Sequence, residues 1–223
     1  MTLPSHAHDP MPNGAPSDDL VLDGVQIALQ GRPLVALDAR IAPGEVLSVM
    51  GPSGSGKSTL LAFAAGFLAP AFTASGRVLL GGRDITVLPA ERRGIGLLFQ
   101  DPLLFPHLSV ASNLRFGLPR GARDRAARVE AALAAIGLAG YGERDPATLS
   151  GGQQSRVALM RLLLCEPRAV LLDEPFSKLD TALRQEMREL VFGRLREARL
   201  PSLLVTHDRE DAEAAGGRII TLE

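Results

Sequence analysis

One nine-residue stretch constrains this chain more than any other: Gly51-Pro52-Ser53-Gly54-Ser55-Gly56-Lys57-Ser58-Thr59, which fits the pattern GxxxxGK[ST]. An apolar run from Val46 to Met50, read as a buried strand, leads into it. A helical apolar pattern at Leu60, Leu61, Phe63, Ala64, Phe67 and Leu68 follows it. The glycines let successive backbone N–H groups turn inward around phosphate oxygens, and the helix presents its positive end to the same anion. Lys57 supplies a point charge for the β and γ phosphates, and the Ser58 hydroxyl suits Mg²⁺. A glycine-rich turn with a surface lysine has the same composition, but the strand before and the helix after favour phosphate binding. Alone, the stretch says only that a nucleoside triphosphate binds; kinases, GTPases and motor ATPases all remain open.

Composition narrows the class. The 223 residues are 46% apolar and 22% charged, enough for one or two packed cores and too mixed for a fibre or a disordered chain. With 24 basic and 25 acidic residues the net charge is -1, so no global field draws the chain to nucleic acid or an anionic membrane, and no nucleic-acid partner is expected. Lys57 and Lys178 are the only lysines, which makes the place of each informative. Cys165 is the sole cysteine, which excludes an intrachain disulfide or a cysteine-rich zinc cluster and fits a reducing cytoplasm. Met1 to Asp19 reads as a loose tail without the apolar centre of a signal peptide, with His6 and His8 solvated. No run approaches the roughly 18 apolar residues that cross a bilayer, so any membrane role is expected to go through a partner.

Along the chain, alternations such as Val25, Ile27, Leu29 and Leu34, Leu37, broken by Gly and Pro, predict antiparallel strands over Leu20 to Leu47. Arg77 to Leu88 reads as strand and turn, and Ile95 to Phe99 as a compact strand. The character then changes, with an Ala- and Arg-rich helical stretch from Ala122 to Ile136 inside a helical insertion. Strands return at Ala169 to Leu172 and Ser202 to Thr206, separated by a helix from Thr181 to Arg199. That alternation implies parallel pairing with right-handed crossovers. The apparent strand Arg218 to Leu222 ends the sequence, and no further C-terminal domain is expected.

Two further clusters carry chemistry. Val170-Leu171-Leu172-Asp173-Glu174-Pro175 puts two carboxylates at the end of an apolar strand, the usual place for ligand groups in a parallel sheet. Asp173 is suited to hold Mg²⁺ directly or through water, and Glu174 to polarise an attacking water. A solvated turn also carries such pairs, and it is the phosphate loop elsewhere in the chain that raises the catalytic reading. Leu149-Ser150-Gly151-Gly152-Gln153 precedes an apolar helical run, which makes Ser150 an N-cap and its helix end a second anion-binding terminus.

With these clusters the chain closely resembles the ATP-binding cassette (ABC) ATPases, from Leu20 to Glu223. The phosphate loop, Gln100, LSGGQ at Leu149 to Gln153, Asp173-Glu174, Ser177-Lys178-Leu179-Asp180 and Thr206-His207-Asp208 stand in that family's order. The resemblance implies an α/β fold of the P-loop NTPase type, with a RecA-like parallel core, an antiparallel β subdomain and an inserted α-helical subdomain. It places a single ABC ATPase domain over 20–223, with the core at about 20–100 and 159–223 and the helical signature subdomain at about 101–158. ATP and Mg²⁺ are the implied substrate and cofactor. Gly51 to Thr59 would bind ATP; Ser58, Gln100 and Asp173 would hold Mg²⁺; Glu174 would be the general base. His207 would bind the γ-phosphate, and Gln100 would also sense it. In a head-to-tail dimer Ser150, Gly151, Gly152, Gln153 and Asp180 of one subunit would close on nucleotide held by the other.

The resemblance also implies partners and place. The segment Asp101 to Phe116 would receive a helix of a transmembrane permease, although a hinge of the helical insertion has the same composition. The phrasing of that segment and of Asp145 to Leu149 is most similar to bacterial importer ATPases for small nutrients or ions, a thiamine-type group among them. The chain would then sit in the cytoplasm, peripheral on the inner face of the membrane, with a substrate-binding protein acting through the permease. Non-transport ABC ATPases of translation or DNA repair are the alternative. They usually carry two cassettes or a long coiled coil, and here a short insertion separates Gln100 from Ser150.

Three departures stand out. Such ATPases usually stack adenine on an aromatic residue ahead of the phosphate loop, yet the first aromatic here is Phe63. Ala28 or Leu29 takes roughly that place, so weak discrimination of ATP from GTP is expected. Ser155 and Lys178 also differ from the usual residues, and Lys178 is expected near the dimer interface.

Overall fold

The structure, a computed structural model, describes residues 18–222. Residues 1–17 of the expected tail, His6 and His8 included, lie outside the described residues. The last two tail residues are anchored: Asp18 pairs with Arg168 at 2.8 Å, and the buried Asp19 pairs with Arg40.

The chain opens with β1 (Leu20–Leu29) and β2 (Arg32–Ile41), an antiparallel hairpin. Apolar residues in β1 fall at Leu20 and Leu22, then at Val25 and Ile27, a change of parity that would turn half of them outward. A register shift between Leu22 and Val25 absorbs the extra residue and keeps all four buried. With β4 (Phe72–Leu80) and β5 (Arg83–Asp84) this hairpin makes a four-stranded sheet of order β2-β1-β4-β5.

A second, parallel sheet joins β3 (Val46–Met50), β6 (Ile95–Leu98), β7 (Ala169–Asp173), β8 (Ser202–Thr206) and β9 (Ile219–Thr221) in the order β6-β7-β8-β3-β9. Its alternate residues feed two cores. Leu47, Val49, Ala169, Leu171, Leu203 and Val205 face α1 (Lys57–Ala65) and the antiparallel sheet. Val46, Val170, Leu172 and Leu204 face α4 (Gly151–Leu164) and α5 (Thr181–Glu197). The near-continuous apolar runs of these strands follow from burial on both faces.

Helix α1 stops at Gly66, whose left-handed φ of 91° suits a C-cap. Phe67 and Leu68, periodic with the helix in sequence, therefore fall outside it, and Phe67 is exposed. Similarly Phe99 lies just past β6 and is exposed. Helices α2 (Val110–Gly117) and α3 (Arg125–Ala135) pack with α4 into a third core around Leu114, Leu133 and Val157. α4 serves two cores: Val157 and Leu164 face the helical cluster, while Ala158, Leu159 and Leu162 face the parallel sheet. The helix that starts at the LSGGQ segment thus binds the insertion to the nucleotide core. The last helix, α6 (Arg209–Ala215), follows β8.

Candidate active site

Parallel register brings the chemistry to one edge. Met50 pairs with Thr206, and Asp173 with Val205, so β3, β7 and β8 end level with one another. Gly51, Glu174 and His207 each follow one of these ends, at the carboxyl edge where open α/β sheets bind ligands.

Lys57 opens α1 and is buried, with its ammonium donating to the carbonyls of Gly51 (2.8 Å) and Pro52 (2.9 Å). A cation is thereby fixed within the loop whose glycines turn N–H groups toward an anion. Gly56, at φ 87°, faces Leu34 and Val35, and a Cβ there would come 2.4 Å from Val35 Cγ2. The β1–β2 hairpin thus lies against the phosphate loop through aliphatic side chains.

Ser58 Oγ donates to Asp173 Oδ1 at 3.1 Å. Burial, the largest cause, pushes the Asp173 carboxyl above the usual carboxylate range, and the charge of Glu174 adds to it. The Ser58 hydrogen bond and the charge of Lys57 oppose the rise. A hydroxyl and a carboxylate side by side are hard oxygen donors of the kind Mg²⁺ takes, in the small number it keeps when phosphates supply the rest. These residues fit that ion. Gln100 bonds elsewhere: its Nε2 donates to Ser177 Oγ at 2.8 Å.

Glu174 is held in an uncommon conformation. Its φ is 45°, left-handed for a residue with a side chain and followed by Pro175, at a cost of roughly 1–3 kcal/mol. Neighbouring bonds impose it: Glu174 N donates to Val205 O (2.9 Å), and Ser177 Oγ donates to Glu174 O (3.0 Å). The carboxylate then lies with Oε2 3.1 Å from His207 Nδ1.

His207 is itself placed by a polar cluster. Asp208 N donates to Thr206 Oγ1 (3.0 Å), and Asp208 Oδ1 caps α6 through Glu210 N (2.8 Å). Arg184 of α5 reaches Asp208 Oδ2 at 2.8 Å. Arg188, also of α5, holds the buried Asp211 through Nε (2.7 Å) and Nη2 (2.5 Å), and Thr206 Oγ1 donates to Asp211 Oδ2 (3.1 Å). Burial pushes the Asp211 carboxyl up, and its bonds to Arg188 pull the other way.

Ser150 is the N-cap of α4 in a reciprocal box: its Oγ accepts from Gln153 N (3.3 Å), and Gln153 Oε1 accepts from Ser150 N (3.0 Å). Gly152 is packed so closely that a Cβ would stand 2.4 Å from Leu183 Cδ2, whereas Gly151 is exposed with nothing within 4 Å. Asp180 caps α5 through Leu183 N (3.0 Å). Among the described residues no hydrogen bond joins Ser150, Gly151, Gly152, Gln153 or Asp180 to residues 51–59. One chain therefore unites Gly51 to Thr59, Asp173, Glu174 and His207 at one edge, with Gln100 tied to the turn after Glu174. The LSGGQ end stands as a separate surface.

Sequence reasoning missed the role of Ser177, the link between Gln100 and Glu174, and the arginine–aspartate cluster behind His207. Asp208 carried a signal, an Asp just ahead of acidic residues in a short helical segment; the arginines, a helix away, carried none. Beside the site, a cavity of about 430 Å³ opens between β6, α2 and α4, lined among others by Phe99, Pro102, Phe105, Phe116, Arg161 and Cys165. Phe116 is 68% exposed. Among the described residues no helix is long and apolar enough to cross a membrane.

A family model described as ABC transporter matches residues 34–177. An uncharacterised ABC transporter ATP-binding protein of Escherichia coli K12, YnjD, is 46% identical over 83% of this chain and 86% of its own. The Fe(3+) ions import ATP-binding protein FbpC 1 of Rhizobium meliloti is 44% identical over 84% of this chain and 53% of its own. PhnT of Salmonella paratyphi A, named for 2-aminoethylphosphonate import, is 43% identical over 96% of this chain and 58% of its own. The chain spans little more than half the length of these last two relatives. By the family match and by these identities, the chain belongs to the ABC transporter family, as an ATP-binding domain.

Proposed function

We propose that this chain is the ATP-hydrolysing subunit of an importer for a small nutrient or ion, working through a separate transmembrane permease. The observation that carries the reading is the meeting of Glu174 with His207 at 3.1 Å, on the sheet edge where Ser58 meets Asp173. The import names of FbpC 1 and PhnT support the direction of transport. Substrate choice belongs to the permease and to a substrate-binding protein acting through it.

In this reading Gly51 to Thr59 enclose the phosphates, and Lys57 exchanges its carbonyl partners for phosphate oxygens. Ser58 and Asp173, joined by Gln100, would hold Mg²⁺, which when bound would supply positive charge to the reacting phosphate group. Glu174 accepts a proton from the attacking water, and His207 orients the γ-phosphate while its bond to Glu174 keeps the carboxylate in line. Ser150, Gly151, Gly152, Gln153 and Asp180 complete the site from the partner of a head-to-tail dimer. Among the described residues nothing outside its own helix and chain neighbours comes within 4 Å of a Cβ placed on Gly151, which is consistent with a surface kept open for a phosphate. The cavity lined by Phe105 and Phe116 is the seat for the permease in this reading, with the subunit on the cytoplasmic face of the membrane; the exposure of Phe116 supports it. Closure of the dimer on ATP and its reopening on product release are the motions the permease would feel.

Tagged Glu174→Gln protein, purified with ATP from detergent-solubilised cells, tests this reading. Recovery of a polytopic membrane protein is expected; recovery of ribosomes or DNA-repair factors alone would replace transport with the translation or repair alternative.

A further inference from the structure

Two consecutive residues after β6 are bonded to two consecutive residues of the turn after Glu174. Gln100 Nε2 donates to Ser177 Oγ (2.8 Å), and next to it Asp101 forms an ion pair with Lys178. The strap joins points 77 residues apart in each case. Immediately beyond it, the same segment is gripped by the helical insertion. Arg161 of α4 donates to Pro102 O (3.2 Å) and to Asn113 Oδ1 (3.3 Å). The fully buried Asn113 in turn accepts from Phe105 N (2.8 Å) and donates to Phe105 O (3.1 Å). Within the second set of anchors, between Pro102 and Phe105, Leu103 lies at φ 45°, a strained left-handed conformation for a residue with a side chain. Residues 100 and 101 are thus tied to the catalytic turn, and 102 and 105, with Leu103 between them, to the wall of the apolar cavity.

We infer that Lys178 is a positioning residue: its ion pair with Asp101 transmits the position of the cavity segment to the turn that holds Glu174. Ser177 is engaged with both Gln100 and the Glu174 carbonyl, and Leu179 and Asp180 lead into α5. The side chains of the pair are 53% and 57% exposed, so its effect is on geometry rather than on fold stability, and it is screened by salt. This inference rests on the reading of Glu174 as general base, and the test separates the two.

Steady-state ATP hydrolysis by the full chain is measured at low ionic strength for the parent, Lys178→Glu, Asp101→Lys and the charge-swapped double variant. Each single reversal is expected to lower kcat about fivefold, the upper worth of an exposed ion pair. KM for ATP and the thermal midpoint should stay those of the parent, the swap should restore kcat, and high salt should shrink the defect. Single variants with the parental kcat, or a swap no better than the worse single, would overturn the inference while leaving the Glu174 reading intact. A parent that hydrolyses no ATP would overturn both.

Discussion

Glu174 Oε2 and His207 Nδ1 lie 3.1 Å apart although they belong to different strand ends, and each is held there by contacts of its own. Glu174 is locked by the Val205 and Ser177 bonds at a left-handed φ, and His207 by the Thr206–Asp208–Asp211 cluster. The pairing therefore depends on residues other than Glu174 and His207 themselves.

Arg188 is the strongest test of that dependence. Its guanidinium is the partner of a carboxylate 2% exposed, so Arg188→Met leaves Asp211 buried and uncompensated. The expected loss is about 3–5 kcal/mol, read as a lowered midpoint in urea with an unchanged slope. Arg188→Met with Asp211→Leu removes both charges and should recover most of it. A single variant as stable as the parent would show that the pair contributes little to holding α6 on α5.

Asp173 makes the site sensitive to acid. Burial holds its folded pKa above the ordinary value of 3.8, so the folded state binds the proton more tightly than the unfolded one. That contribution to stability is fully present below 3.8 and is lost as pH rises through the raised value. Cation binding runs the other way, since Mg²⁺ needs the carboxylate, and should weaken as pH falls through the raised value. Ser58→Ala removes an opposing bond and should move the midpoint further up. Calorimetric titration of Mg²⁺ into the ATP complex across the acid range measures it; a midpoint at or below the ordinary carboxylate value would contradict the burial argument.

Gly151 and Gly152 are adjacent in sequence and opposite in environment. A Cβ on residue 152 would meet the Leu183 side chain at 2.4 Å, so Gly152→Ala should displace Leu183 and cost about 1 kcal/mol. Leu183→Ala in the same chain should relieve it. Gly151→Ala meets nothing within 4 Å and should leave the thermal midpoint unchanged. A reduced rate of ATP hydrolysis in that stable variant is the expected mark of a surface that closes on the partner's nucleotide.

No aromatic precedes the phosphate loop, and Leu34 and Val35 are the side chains that lie against Gly56. Base–aromatic stacking is worth about 1–3 kcal/mol but tolerates any base; aliphatic side chains offer no hydrogen bond that tells adenine from guanine, so GTP should compete with ATP within about tenfold. Competition binding that shows a hundredfold preference for ATP would point to base contacts that the hairpin does not display.

What the sequence carried well was local. GxxxxGK[ST] between a strand and a helix, Ser150 ahead of an apolar helix, and Asp173-Glu174 at a strand end each depend on neighbours a few residues away, and each stands at such an element end. What it did not carry is long-range. Ser58 and Asp173 are 115 residues apart, and their contact follows from the order of β3, β8 and β7 in the parallel sheet rather than from any spacing. Within the chain Lys178 is bound to Asp101, a partner that no periodicity indicates. Phe67 shows the opposite failure: the helical period was present, and a single left-handed glycine ended the helix before it.

The central claim is that Glu174 is the base that activates water, and single-turnover hydrolysis by Glu174→Gln tests it most directly. The variant should bind ATP as the parent does, hydrolyse it at least about a hundredfold more slowly, and accumulate as a nucleotide-bound dimer in size-exclusion chromatography. Turnover at the parental rate would remove Glu174 from that role and with it the mechanism built on the Glu174–His207 contact.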